Sequence, residues 1–151
     1  MARFKFRLAT LLKLREATRD ERRTELAQAY RADEVLSKNL DQVQTELIAL
    51  EDQCRKAAGP GKIDIDRLIE AQRYEIILKV QQRSMNEQRE RLAAEIERRR
   101  VALLAANREV RILEKLREHQ VEQHSQAENR LEIKRLDEVA RLQALVAEEV
   151  V

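Results

Sequence analysis

Apolar residues recur along this chain by alternating steps of three and four. Leu26, Ala29, Asp33, Leu36, Leu40, Val43, Leu47, Leu50, Cys54 and Ala57 follow that rule, with Asp33 the one polar member. Leu92, Ile96, Arg99, Leu103, Ala106, Val110 and Leu113 follow it again, with Arg99 the charged interruption. A repeat of about 3.5 residues keeps one stripe of a helix facing a neighbouring helix, so both stretches predict coiled-coil seams. Between them stand Gly59, Pro60 and Gly61, which hold the sole proline and both glycines. Proline cannot donate to a helix, and glycine readily takes the conformation that ends one. Asp64 or Asp66 can then accept hydrogen bonds from the unpaired amides that open the next helix. The expected fold is all-α, one antiparallel two-helix coiled-coil hairpin over residues 1–151. Helix 1 is expected over about 4–58, the turn over 59–63 and helix 2 over about 64–149, as rods of roughly 80 and 130 Å.

Composition rules out a compact core. Charged residues make up 38% and aromatics 3%, with no Trp, whereas ordinary domains carry about 25% charge. The charges nearly cancel, at +2 overall, so self-repulsion does not argue for disorder. One cysteine, Cys54, permits no intramolecular disulfide and no thiolate cluster, which suggests a reducing compartment. Uncharged stretches fall well short of the roughly 20 residues that cross a bilayer. The first residues interleave charge and lack a small-residue cleavage site, so no secretory signal is expected. The expectation is a soluble protein inside the cell.

Charge pairs fit the outer faces: Glu34 with Lys38, Glu51 with Arg55, Glu87 with Arg91 and Glu95 with Arg99, each acid four residues ahead of its base. Three regions break the simple seam. In residues 15–25, eight of eleven side chains are charged, and the heptad positions Arg15, Arg19 and Arg22 are all arginine. In residues 117–130, Val121 and Ala127 are the only apolar side chains. Pairing symmetric about Pro60 puts Met1 near residue 119 and leaves the last thirty or so residues without an internal partner. There Leu136, Val139, Val146 and Val150 restore an apolar stripe, with Gln143 its polar member, and a stripe without an internal partner suggests an external one.

The third region lies beside the turn, where Ile63, Ile65, Leu68, Ile69, Ala71, Tyr74, Ile76, Ile77, Leu78 and Val80 cover more of the helix than one seam needs. Ala71, Tyr74, Leu78 and Met85 can face Val43, Leu47 and Leu50; Ile65, Ile69, Ile76 and Val80 point elsewhere. The excess either plugs the hairpin tip or binds a protein, and amphipathic Tyr74 suits an anchor in both cases.

Catalytic chemistry finds no support. His119 and His124 are five residues apart on one helix, with no Cys nearby, and read as solvated side chains rather than zinc ligands. The carboxylates are dispersed among bases, with no cleft to raise a pKa. Gly59 and Gly61 bracket a proline and lack the Lys and Ser or Thr of a phosphate-binding loop. No catalytic, metal-binding or cofactor-binding residue is expected, and no nucleotide. Arg3, Lys5, Arg7, Lys13 and Arg15 give the first fifteen residues five positive charges and no negative one. Acids resume at Glu16 and only Phe4 and Phe6 could stack on bases, so an acidic protein or an anionic lipid surface fits this start better than nucleic acid.

Residue identities at the two ends go further. Phe4-Lys5-Phe6-Arg7-Leu8-Ala9-Thr10-Leu11-Leu12-Lys13-Leu14-Arg15-Glu16 resembles the F-x-F-R-L-x-x-L-L-x-L-R-E run that opens the FliJ family of flagellar export proteins. Glu132 with Leu136-Asp137-Glu138-Val139-Ala140 resembles that family's late E-x-x-x-L-D-E-x-A pattern. The resemblance implies a non-catalytic component of the bacterial flagellar type III export apparatus, cytoplasmic and peripheral to the membrane at the flagellar base. Its implied partners are the hexameric export ATPase, the membrane-embedded export gate and export chaperones, and its implied state alone is a monomer. Matched motifs assign Phe4, Phe6, Leu8, Leu11, Leu12, Leu136, Asp137, Glu138 and Val139 to the ATPase ring. Position and apolar excess assign Val43, Leu47, Leu50, Tyr74 and Leu78 to the gate. Two other readings stay open from the residues themselves: a self-associating coiled-coil scaffold and a nucleic-acid-binding helical hairpin.

Overall fold

A computed structural model describes residues 3–150. It is all-helical, with α1 spanning Ala9–Ala57 and α2 spanning Ile65–Glu149, and no strand among the described residues. The turn between them follows from its residues. Ala58 N donates to the Cys54 carbonyl at 3.0 Å and Gly59 N to the Lys56 carbonyl at 3.3 Å, closing the end of α1. A side chain at Gly59 would press the Lys56 carbonyl at 3.2 Å, and Gly61 adopts a φ of 143°, which side-chain-bearing residues rarely take. Of the two capping candidates Asp64 serves: its Oδ1 accepts from Arg67 N at 3.3 Å, while Asp66 lies within the first turn.

The chain divides into two compact units, Asp20–Leu104 and the remainder, formed by the N-terminal stretch through Arg19 together with Ala105 onward. Within the first of these, α1 and α2 run antiparallel. Going down α1, Glu46, Gln44, Asp33 and Glu25 meet Tyr74, Gln82, Arg89 and Arg99 going up α2. Every expected seam position of α1 from Leu26 to Ala57 is buried or half-buried, as are Leu92, Ile96, Arg99 and Leu103 on α2. The core cluster is Val43, Leu47, Leu50 and Leu78, flanked by Ala71 and Met85. Both polar seam positions find partners. Asp33 Oδ1 lies 3.5 Å from Arg89 Nε. Arg99 Nε donates to Glu95 Oε1 at 2.9 Å, and its Nη1 donates to the Glu25 backbone carbonyl. A charged group at a seam lowers stability but pins register, because slipping by one turn would strand it without these partners. Of the expected acid–base pairs, Glu34 with Lys38 forms on an outer face and Glu95 with Arg99 forms beside the seam, whereas Glu87 lies against Arg83 rather than Arg91.

In the second unit Leu12, Val110 and Leu113 make the buried cluster, with Phe6 and Leu11 packed against it. The charged heptad position Arg15 is half-buried, and its Nη1 bonds Glu109 Oε2 at 2.7 Å instead of entering a dry seam. The first helix starts later than its expected onset near residue 4. Residues 3–6 have no regular structure and a turn at 7–8 leads into α1, with Ala9 N donating to the Phe6 carbonyl at 3.2 Å. Phe4 and Phe6 are half-buried while Arg3, Lys5 and Arg7 are exposed. That alternation is the period of extended chain, and it turns both rings onto α2 while leaving the bases in water. An extended residue advances about 3.3 Å where a helical one advances about 1.5 Å. The N-terminal segment therefore runs further along α2 than symmetric pairing predicts, with the Phe4 ring beside His124; Met1 lies outside the described residues. From 129 to 150 every residue is exposed, a shorter unpartnered stretch than the thirty or so expected.

Candidate partner-binding faces

Three faces carry the residues singled out for partners. The first is the N-terminal segment. The Phe4 ring meets His124 edge-on, with centroids 5.6 Å apart and an interplanar angle of 65°. His124 Nδ1 lies 3.9 Å from Glu128 Oε2. Phe6, Leu11 and Leu12 are engaged with Val110 and Leu113, so most of the apolar content of this segment is already used inside the unit. Leu8 remains exposed, as are the bases Arg3, Lys5, Arg7 and Lys13, and none of these four forms an ion pair among the described residues.

The second face belongs to the far part of α2. Leu136 is 62% exposed and Val139 50% exposed, with Asp137 and Glu138 exposed between them. Leu142 and Val146 extend the stripe toward the helix end. The motif residues of both chain ends thus belong to one unit, but they differ in state: the N-terminal ones are largely packed, the C-terminal ones free.

The third face lies beside the turn. Val43, Leu47, Leu50 and Leu78 do not form a surface there; they are the core between the helices, with Leu78 only 2% exposed. A side chain committed to that seam has no area left for a partner, so among the five gate residues Tyr74 alone is presented. Tyr74 is 46% exposed, and its hydroxyl donates to Glu46 Oε2 at 2.9 Å. That hydrogen bond, with the carboxylate charge beside it, raises the phenol pKa above its ordinary value. Next to it the seam opens into a groove of about 650 Å³ lined by Leu50, Cys54, Ala57, Leu68, Ala71 and Tyr74 among others. The sequence reading missed this groove, and the signal for it is side-chain size: where Leu50 gives way to Cys54 and Ala57, with Ala71 on α2, the side chains become too small to fill the space between two helices. Around the rest of α2, Ile65, Ile69, Ile76 and Val80 are exposed, so they do not plug the tip.

Among the described residues no group of three or more His, Cys, Asp or Glu is arranged to hold a metal ion, and no helix is long and apolar enough to cross a membrane. A family model described as Flagellar FliJ protein matches residues 4–149. No curated protein and no solved structure gives a significant match.

Proposed function

Because the chain belongs to the FliJ family and is thereby a component of the flagellar export apparatus, we propose that it links the export ATPase ring to the export gate and receives export chaperones, without catalysing a reaction itself. The observation that carries this reading is the family match over nearly the whole chain, with both family-like end motifs in one unit. The ring contact is made by the exposed members of those motifs, Leu8, Leu136, Asp137, Glu138 and Val139. Phe4, Phe6, Leu11 and Leu12 act from beneath, by holding the N-terminal segment on α2. Gate contact centres on Tyr74 and the groove beside it, which Leu50 lines, while Val43, Leu47 and Leu78 pack with Leu50 in the core that holds the two helices together there. The site of action is the cytoplasmic side of the membrane at the flagellar base, and the free chain is a monomer at low micromolar concentration.

The ring contact is tested with Leu8, Leu136 and Val139 all replaced by Ala. All three are exposed, so helix content and thermal midpoint stay near those of the parent while association with the purified ATPase hexamer falls by at least tenfold. Undiminished association from folded variant protein overturns the assignment. Tyr74→Ala is the corresponding gate test, read as motility and gate binding from stably expressed protein. The buried Leu78 is unsuited to that purpose, since its loss would unpack the unit.

A further inference from the structure

Beyond Glu128, α2 carries an apolar stripe that nothing in its unit covers. The charges beside that stripe indicate what fits it. Leu136, Val139, Gln143 and Val146 step by three, four and three, as seam positions of a heptad. Arg135, Leu142 and Glu149 flank the seam on one side, and Ile133, Ala140 and Ala147 flank it on the other. When two identical helices pair antiparallel, each flank meets the same flank of the other copy in reverse order. Arg135 then faces Glu149 of the second copy, the reciprocal pair forms by symmetry, and Leu142 meets Leu142. On the other side Ala140 meets Ala140, a pairing small enough to let the backbones approach. Seam layers form from Leu136 against Val146 and from Val139 against Gln143. In a parallel pair one flank would meet the other, placing Arg135 against Ala140 with no charge complement. The stripe is therefore self-complementary in one direction only.

We propose that the C-terminal part of α2 binds the same segment of a second copy, antiparallel, about a two-fold axis crossing the helix at residues 140–142. The pair is weak. It uses a handful of apolar side chains per copy where a standard interface uses about 20–30 residues a side, and its Gln143 layers trade affinity for register. It is populated in the hundreds of micromolar and absent at low micromolar concentration. Leu136 and Val139 are shared with the proposed ATPase contact, so the paired form covers that contact while no ATPase is bound. The pairing itself rests on the stripe and its charges and stands or falls without the export reading.

Sedimentation velocity of the full chain from about 5 to 500 µM tests it. Monomer at the low end and dimer at the high end are expected. Arg135→Glu or Glu149→Arg alone replaces two attractions per dimer by two repulsions and should weaken dimerisation about fivefold or more, while the double variant restores it. Both positions are exposed, so folding is undisturbed. In a Cys54→Ser background, Leu142→Cys should give a disulfide-linked dimer on mild oxidation, because the two copies of that residue meet near the axis. A monomer at every concentration, or a dimer indifferent to the single reversals, or a double variant no better than the singles, overturns the proposal.

Discussion

Leu78 and Tyr74 stand one turn apart on α2 and meet different environments. Leu78 is closed in by Val43, Leu47 and Leu50, and truncating it to Ala should cost about 2–4 kcal/mol, read from urea unfolding followed by circular dichroism. Tyr74 lies at the rim, with its hydroxyl bonded to Glu46 and its pKa raised by that bond and the adjacent charge. A raised folded pKa means that the bond's contribution is complete below the ordinary phenol value near 10 and is lost as pH rises through the folded value. Stability should thus be insensitive to this group at neutral pH. In a Tyr30→Phe background, ultraviolet titration should show one phenol ionising above about 10, and adding Glu46→Gln should move it back toward the ordinary value. In the sequence both residues are members of one apolar run, and nothing local separates core from rim. What separates them is the rotation of α2 about its axis, which only the partner helix sets.

At the scale of the helices, local signals were more informative. Seam positions could be read because a helix that buries one stripe must repeat its apolar residues at the coiled-coil period, and the burial of Leu26 through Ala57 follows that reading. The cap could be narrowed to two aspartates, and geometry selects Asp64. Asp64→Ala should lower stability by about 1 kcal/mol, with Asp64→Asn recovering most of it, measured as shifts in the denaturant midpoint. The onset of α1 was less legible. Phe4 and Phe6 suit either a helix or an irregular extended segment by composition, and the non-helical form prevails where alternation puts both rings against α2 and all three bases outward. Arg99 looked like an interruption, yet it is a cross-helix fastener, since its guanidinium reaches both Glu95 and the Glu25 carbonyl. The same contact keeps the Glu95 carboxyl below its ordinary pKa, chiefly through the Arg99 hydrogen bond.

For the molecule as a whole, what matters is the uneven use of its apolar residues. The seam residues of α1 and of the facing part of α2 are spent on packing, while residues 129–150 contribute no buried side chain. Removing everything after Glu128 should therefore shift the thermal midpoint by less than about 2 °C while abolishing ATPase association, checked by calorimetry and by pull-down with the hexamer. A large loss of stability would show that the stretch folds back in solution. This division also explains why the partner residues were only partly legible. Periodicity marks a stripe as apolar but does not say whether a helix of the same chain already covers it, so Val43 and Val139 look alike until the pairing is known.

Fold class, the break at residues 59–61, the seam positions and the family were determined by the sequence alone, because each rests on local chemistry: helix-permissive residues, one cluster of breakers, a fixed period and matched end motifs. Tertiary structure decided which stripes are buried, how far the N-terminal segment runs along α2, and that Tyr74 rather than Leu78 is presented beside the turn. Those outcomes depend on how two helices are rotated and offset against each other, and that is settled by the sum of contacts between residues far apart in the chain.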